Sequence, residues 1–147
     1  MIVLILIGGV VAAGAAVLSF LRSRYLVVTV SGSSMEPTYR SHDRLLARRT
    51  TPDRLRRGQV VVFSPPKPTR RGPRPGWTVK RVVAAPGDPV PRDQVPALAD
   101  VPETEVPEGR LAVLGDNSAE SYDSRYFGYI PADSRIALVL RPLTSAP

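Results

Sequence analysis

Cysteine is absent from this chain of 147 residues, and histidine occurs once, as His42. Without a thiol there is no disulfide, no cysteine nucleophile and no thiolate metal site. With one imidazole, zinc sites built on several histidines are excluded, and a Ser-His-Asp triad would have to pass through His42. A lone histidine in a polar turn is ordinarily solvated, and His42 is assigned no role. Lysine is almost as scarce: of the 20 basic residues, Lys67 and Lys80 are the lysines and the other 18 are arginine. No periodic amphipathic helix follows the first 24 residues, no internal repeat is visible, and no helix-turn-helix, zinc-finger or aromatic stacking signature accompanies the net charge of +7. Charge alone does not make a nucleic-acid site, so nucleic acid is not expected as a partner. Attraction to anionic lipid is the better use of that charge.

What is present begins with residues 2–21, which carry no charge and only Ser19 as a polar side chain. As a helix this run is about 30 Å long, the thickness of a bilayer's hydrocarbon core. The small residues 12–16 would suit a cleavable secretory signal. The run is long for one, and no basic residue precedes it, so residues 1–24 are read as a transmembrane anchor. Arg22 and Arg24 follow the span, and by the positive-inside rule they favour placing the remainder in the cytoplasm; long downstream domains can translocate despite such charge.

Residues 25–147 read as one mainly β domain. Runs of β-branched and apolar residues at 25–30, 44–48, 59–63, 77–85, 110–114 and 136–140 are separated by Pro and Gly, and the chain holds 16 prolines. Residues 64–76 contain five prolines and form a surface loop carrying Lys67. Residues 89–109, with Glu103, Glu105 and Glu108, are expected to be a solvated connector and not a carboxylate site.

Two segments carry chemistry. Ser31-Gly32-Ser33-Ser34-Met35-Glu36-Pro37-Thr38 offers a hydroxyl in a Gly/Ser turn, and Thr78-Val79-Lys80-Arg81-Val82-Val83 offers an amine in an apolar strand. Arginine stays protonated, whereas a desolvated lysine can lose its proton and act as a base. A neutral amine at pH 7 costs about 4–5 kcal/mol for an unperturbed lysine, and burial can supply most of that. Strand alternation places Lys80 on one face with Thr78 and Val82, and leaves Arg81 on the other, in solvent. Met35, Trp77, Tyr126 and Phe127 are expected to wall the amine from water. In a third segment, residues 115–128, Ser121 can orient the amine, and Asp123 with Arg125 can fix the turn as an ion pair.

Taken in order, the three segments resemble the type I signal peptidase family of membrane-anchored serine proteases. Ser34-Met35-Glu36-Pro37-Thr38 is similar to its nucleophile box and Lys80-Arg81-Val82-Val83-Ala84-Ala85-Pro86-Gly87-Asp88 to its base box. Residues 115–128 are similar to its Gly-Asp-Asn…Ser-x-Asp-Ser-Arg box. The resemblance implies an antiparallel β domain behind one transmembrane helix, and no cofactor or metal. It implies Ser34 as acylating nucleophile, Lys80 as general base, Ser121 as lysine orienter, and the backbone of Ser34 and Gly32 as oxyanion donors. Implied substrates are precursor proteins with Ala-x-Ala signal peptides, bound as an added strand against Val28, Val30, Met35, Trp77 and Val79. Implied surroundings are membrane lipid, in a bacterial cell membrane, with the domain extracytoplasmic. The sequence leaves open a general peptidase, one dedicated to a single precursor, or an inactive secretion scaffold. It departs from the family pattern at Gly32, where some members carry a serine, at His42-Asp43 in place of Gly-Asp, and at Gln59 in place of an acid. The stretch from Gly87 to Gly109 is too short for the extra β-domain of larger members.

Overall fold

A computed structural model of the protein describes residues 1–64, 76–130 and 133–144, without the side chains of residues 2–6. Lys67 and its Pro-rich loop lie outside the described residues. The elements are α1 (Ile2–Arg24), β1 (Tyr25–Thr29), β2 (Arg44–Thr50), β3 (Val60–Ser64), β4 (Thr78–Ala84), β5 (Ala112–Leu114), α2 (Ser124–Phe127) and β6 (Arg135–Thr144). Every segment read as a strand from β-branched runs is one, with ends shifted by a few residues. The window Ile7–Arg24 is long and apolar enough to cross a bilayer, and none of it is buried against the protein. Among the described residues after α1, the one α-helix is the single turn α2. Asp123 starts it by accepting from the Arg125 N–H at 3.2 Å.

All six strands form one antiparallel sheet in the order β1-β2-β6-β3-β4-β5. In a flat sheet β1 and β4 would stand four spacings, about 19 Å, apart. Yet Val28 and Val30 from the β1 end and Val79 from β4 share one apolar cluster with Leu45, Ala47, Val60, Val62 and Ala137. The sheet therefore curls and brings its first and fifth strands toward each other. β5 pairs with Arg81, Val82 and Ala84 of β4 and leaves Thr78–Lys80 unpaired on that edge. A strand-shaped slot thus separates β1 from the first half of β4. The convex side packs a second core, with Leu55, Val61, Phe63, Val82, Leu111, Val113, Ile130 and Ile136.

Residues 89–109 depart from expectation. Val90, Val95, Leu98 and Val106 are buried with Ala84 and Ala112 in a third cluster. The Arg92 guanidinium donates to the Val101 and Glu103 carbonyls at 2.9 and 2.6 Å, which draws the segment into a small lobe. Its apolar residues are spaced irregularly among prolines, so no period betrayed a buried face. Glu103, Glu105 and Glu108 remain at the surface.

The turn after the Ser34 segment is closed by backbone hydrogen bonds with a non-glycine residue in the left-handed region. His42 takes φ +76°, its N–H donates to the Val30 carbonyl at 2.9 Å, and the Val30 N–H donates to the Asp43 carbonyl at 2.8 Å. Asp43 accepts from the Arg40 N–H at 2.8 Å. Gln59 likewise serves where an acid is usual, its amide oxygen accepting from the Arg56 N–H at 2.8 Å. A left-handed non-glycine residue costs about 1–2 kcal/mol. Glycine would remove that strain while giving back roughly 0.5–1 kcal/mol of unfolded-chain entropy. His42→Gly is therefore expected to raise the thermal midpoint by about 1–4 °C. A lowered midpoint in a melting series would mean that the imidazole makes a contact worth more than the strain.

Candidate active site

β1 runs directly into the turn that carries Ser34, and β4 carries Lys80 along the opposite side of the slot. Lys80 Nζ lies 2.6 Å from Ser34 Oγ, with the lysine only 3% exposed. The residues that dry the amine follow from register. Val61 stands directly across from Lys80, and Val82 lies two residues on; both sit in the convex core. Phe127 packs against that core as expected. Met35 is buried in the concave cluster and Trp77 packs against it. Tyr126 is 63% exposed and stacks on Tyr122 at 5.2 Å, so it walls off nothing. The uniformly apolar β3 hid this, since every residue from Val60 to Phe63 is buried and the sequence singles out no face.

Burial is the main force pushing the Lys80 amine below the ordinary lysine range; the Asp123 carboxylate opposes it, Arg125 adds to it, and Asp116 opposes it. Asp123 is fully buried. It accepts from Ser121 Oγ at 2.6 Å, from the Gly115 N–H at 2.9 Å, and from Arg125 at 2.6 and 2.9 Å in a bidentate pair. Burial alone would raise its pKa, but the hydrogen bonds from Arg125, Gly115 and Ser121 outweigh this and hold the carboxyl below its ordinary range. Ser121 is thus seen donating to Asp123, and the lysine's hydrogen bond goes to Ser34.

Gly115 is where this segment touches Ser34. An added Cβ would collide with Ser121 Oγ and with the Ser34 carbonyl, so no side chain fits. The next contact is the Asn117 N–H, which donates to the Ser34 carbonyl at 3.0 Å. The Ser34 N–H has no hydrogen-bond partner among the described residues, and Gly32, at φ +84°, stands exposed beside it. The supporting roles of Gly115 and Asn117 are not visible in the Gly-Asp-Asn sequence, because a turn sequence does not say what it packs against.

Arg81 is not simply solvated. Its guanidinium is one-third exposed and forms a bidentate pair with Asp116 at 2.6 and 2.8 Å, while also donating to the Gly58 carbonyl at 2.9 Å. Thr38 Oγ1 donates to the same Asp116 carboxylate at 2.5 Å. One carboxylate therefore ties the nucleophile segment to the residue after Lys80. The five residues expected to meet substrate are gathered together: Val28, Val30, Met35 and Val79 are buried in the concave cluster, and Trp77, half-buried, packs against it.

Removing one member of a buried ion pair leaves the other uncompensated, and with Arg125 a quarter exposed Asp123→Ala is expected to cost about 2–4 kcal/mol of stability. Because the folded-state pKa of Asp123 is depressed, its contribution is complete above the ordinary carboxylate value near 3.9 and fades as pH falls through the folded value. Denaturant unfolding across pH 2–7 should show a shallower acid loss in Asp123→Ala than in the parent (~pH range for carboxylates). Identical acid profiles would remove Asp123 as the group responsible.

The sequence matches the family described as "Signal peptidase, peptidase S26" over residues 1–99 and 91–143. It is 32% identical over 123 residues to a probable signal peptidase I-2 of Synechocystis sp., an alignment covering 71% of this chain and 56% of that protein. It is 37% identical over 125 residues to mitochondrial inner membrane protease subunit 1 of Xenopus tropicalis, covering 81% and 71%. Against signal peptidase I of Bacillus caldolyticus it is 29% identical over 152 residues, covering 82% and 78%. The chain thus spans little more than half of the first of these relatives, and more of the other two. With the family's pattern running over nearly all of the sequence, and relatives in bacteria and mitochondria alike, the chain belongs to the signal peptidase family, peptidase S26.

Proposed function

We propose that the protein is a membrane-anchored serine endopeptidase that removes N-terminal signal peptides, with Ser34 as nucleophile and Lys80 as general base. The observation that carries this reading is the 2.6 Å approach of a buried lysine amine to a serine hydroxyl. Desolvation favours the neutral amine, which takes the Ser34 proton as Oγ bonds to the scissile carbonyl carbon. Charge then gathers on the carbonyl oxygen, where the free Ser34 N–H, with the Gly32 backbone beside it, is available to donate. The lysine returns the proton to the leaving nitrogen as the C–N bond breaks, leaving the acyl group on Ser34. Lys80 then deprotonates a water as its oxygen bonds to the acyl carbon; the C–Oγ bond breaks, the proton passes from Lys80 back to Ser34 Oγ, and the product leaves with a new carboxyl group. Ser121 fits as the orienter of Lys80: its proton is directed to Asp123, so its lone pairs are open to the amine N–H.

The substrate lies as an added strand between β1 and β4, using the unpaired edges of both. Val28, Val30, Met35 and Val79 form a tight apolar floor with Trp77 at its side, which suits small residues of the Ala-x-Ala kind. Residues 1–24 anchor the protein in lipid, and residues 25–147 act on the side to which precursors are exported. Relatives among bacterial and mitochondrial membrane proteases support a bacterial or a mitochondrial membrane.

Ser34→Ala and Lys80→Ala are each expected to lower cleavage of an Ala-x-Ala precursor by about 10³-fold or more, while the protein stays folded. Lys80→Arg should fail as well, since arginine does not give up its proton. Mass spectrometry of the products, with cleavage after the second alanine by the parent alone, is the supporting result; retained cleavage in either alanine variant overturns the dyad. Neutral Lys80 is the working form, so kcat/KM should climb with rising pH through an apparent pKa below the ordinary lysine value of 10.5. A rate that does not change with pH anywhere below the ordinary lysine value of 10.5 would count against lysine as the base.

A further inference from the structure

We infer that Arg49 and Trp77 form a charge-selective subsite at the upstream mouth of the slot, which discriminates among substrates several residues before the scissile bond. The inference rests on the proposed reaction and names a specificity element within it. Arg49, Ala137, Val62 and Val79 occupy one row across β2, β6, β3 and β4, on the concave face. Ala137 and Val62 are small and fully buried, so the long side chains at either side close over them. The Arg49 guanidinium reaches within 6.0 Å of the Trp77 ring, a cation–π distance. Arg49 is exposed and makes no ion pair with any described residue.

Strand directions place this pair upstream. Each neighbour in the order β1-β2-β6-β3-β4 is antiparallel, so β1 and β4 run the same way. β1 leads to Ser34, and β4 leads from Trp77 to Lys80. A substrate with its scissile bond at Ser34 cannot continue forward in the slot, because β5 occupies the β4 edge from Arg81 onward. Its upstream part therefore lies back along Val79 and Thr78 toward Trp77. An extended chain level with Trp77 is about four to five residues before the bond, at about 3.3 Å per residue. There the free guanidinium favours an acidic side chain and repels a basic one, and the indole face gives either one an apolar bed.

The test uses the full-length protein in detergent at low ionic strength, with Ala-x-Ala precursors differing only at the fourth and fifth residues before the cut: Glu, Ala or Lys. Parent, Arg49→Ala and Arg49→Glu are compared by kcat/KM, each ratio taken against the alanine precursor cleaved by the same variant. The parent should prefer Glu over Lys by roughly two- to fivefold, the size expected of an exposed charge pair. Arg49→Ala should flatten the preference, Arg49→Glu should reverse it, and high salt should erase both effects. The same preference in all three proteins overturns the subsite while leaving the peptidase reading intact. No cleavage of the alanine precursor by the parent overturns that reading and the subsite with it.

Discussion

The arrangement at the slot hangs on one fully buried carboxylate. Asp123 is excluded from water and would be intolerable there unless its oxygens were satisfied. It gathers the Gly115 N–H, the Ser121 hydroxyl and the Arg125 guanidinium, and it starts α2 as well. Those bonds fold residues 115–125 into a tight arch. The arch presents Gly115 and the Asn117 N–H to the carbonyl of Ser34. The Ser34 segment is held by what lies behind it, and its hydroxyl is left to face Lys80. Asp116 adds a second tie by joining Thr38 to Arg81. Both ties use bidentate arginine, whose planar fork fixes direction as well as distance.

Curvature of the sheet supplies the rest. Because the concave cluster draws β1 and β4 together, two unpaired strand edges face each other, and the Ser34–Lys80 pair sits at the end of the gap between them. Unpaired edges ordinarily invite unwanted association. Here the free edge of β1 and the Thr78–Lys80 edge of β4 are turned toward each other by the curl of the sheet. β1 follows α1 without an intervening residue, so the upstream mouth of the slot lies next to the helix.

Much of this was legible in the residues. Runs of β-branched and apolar residues, with Pro and Gly as breaks, located all six strands. The two-lysine composition singled out Lys80, and period-2 geometry put it on a face with Val82. The misreadings share a cause. Residues 89–109 lack any period, yet Val95 and Leu98 pack against Ala112 and one another, since a short irregular segment can be buried by neighbours far away in sequence. Tyr126 was expected beside the amine because it lies within the third motif, but α2 turns it outward onto Tyr122. Arg81 was expected in solvent because its partner, Asp116, is 35 residues away.

By itself the sequence determined which groups exist and how they are ordered: a long apolar helix, short strands, a serine-bearing Gly/Ser turn, and one lysine among valines. These follow from local rules, since helix and strand periods, turn residues and ionisation depend on near neighbours. Only the tertiary structure decided that Val61 dries Lys80, that Ser34 is braced by Gly115 and Asn117, and that Arg49 leans over Trp77. Each is a contact between segments far apart in the chain. Such contacts are fixed by strand order, register and curl, which emerge from the packing of the whole core and not from any one stretch of it.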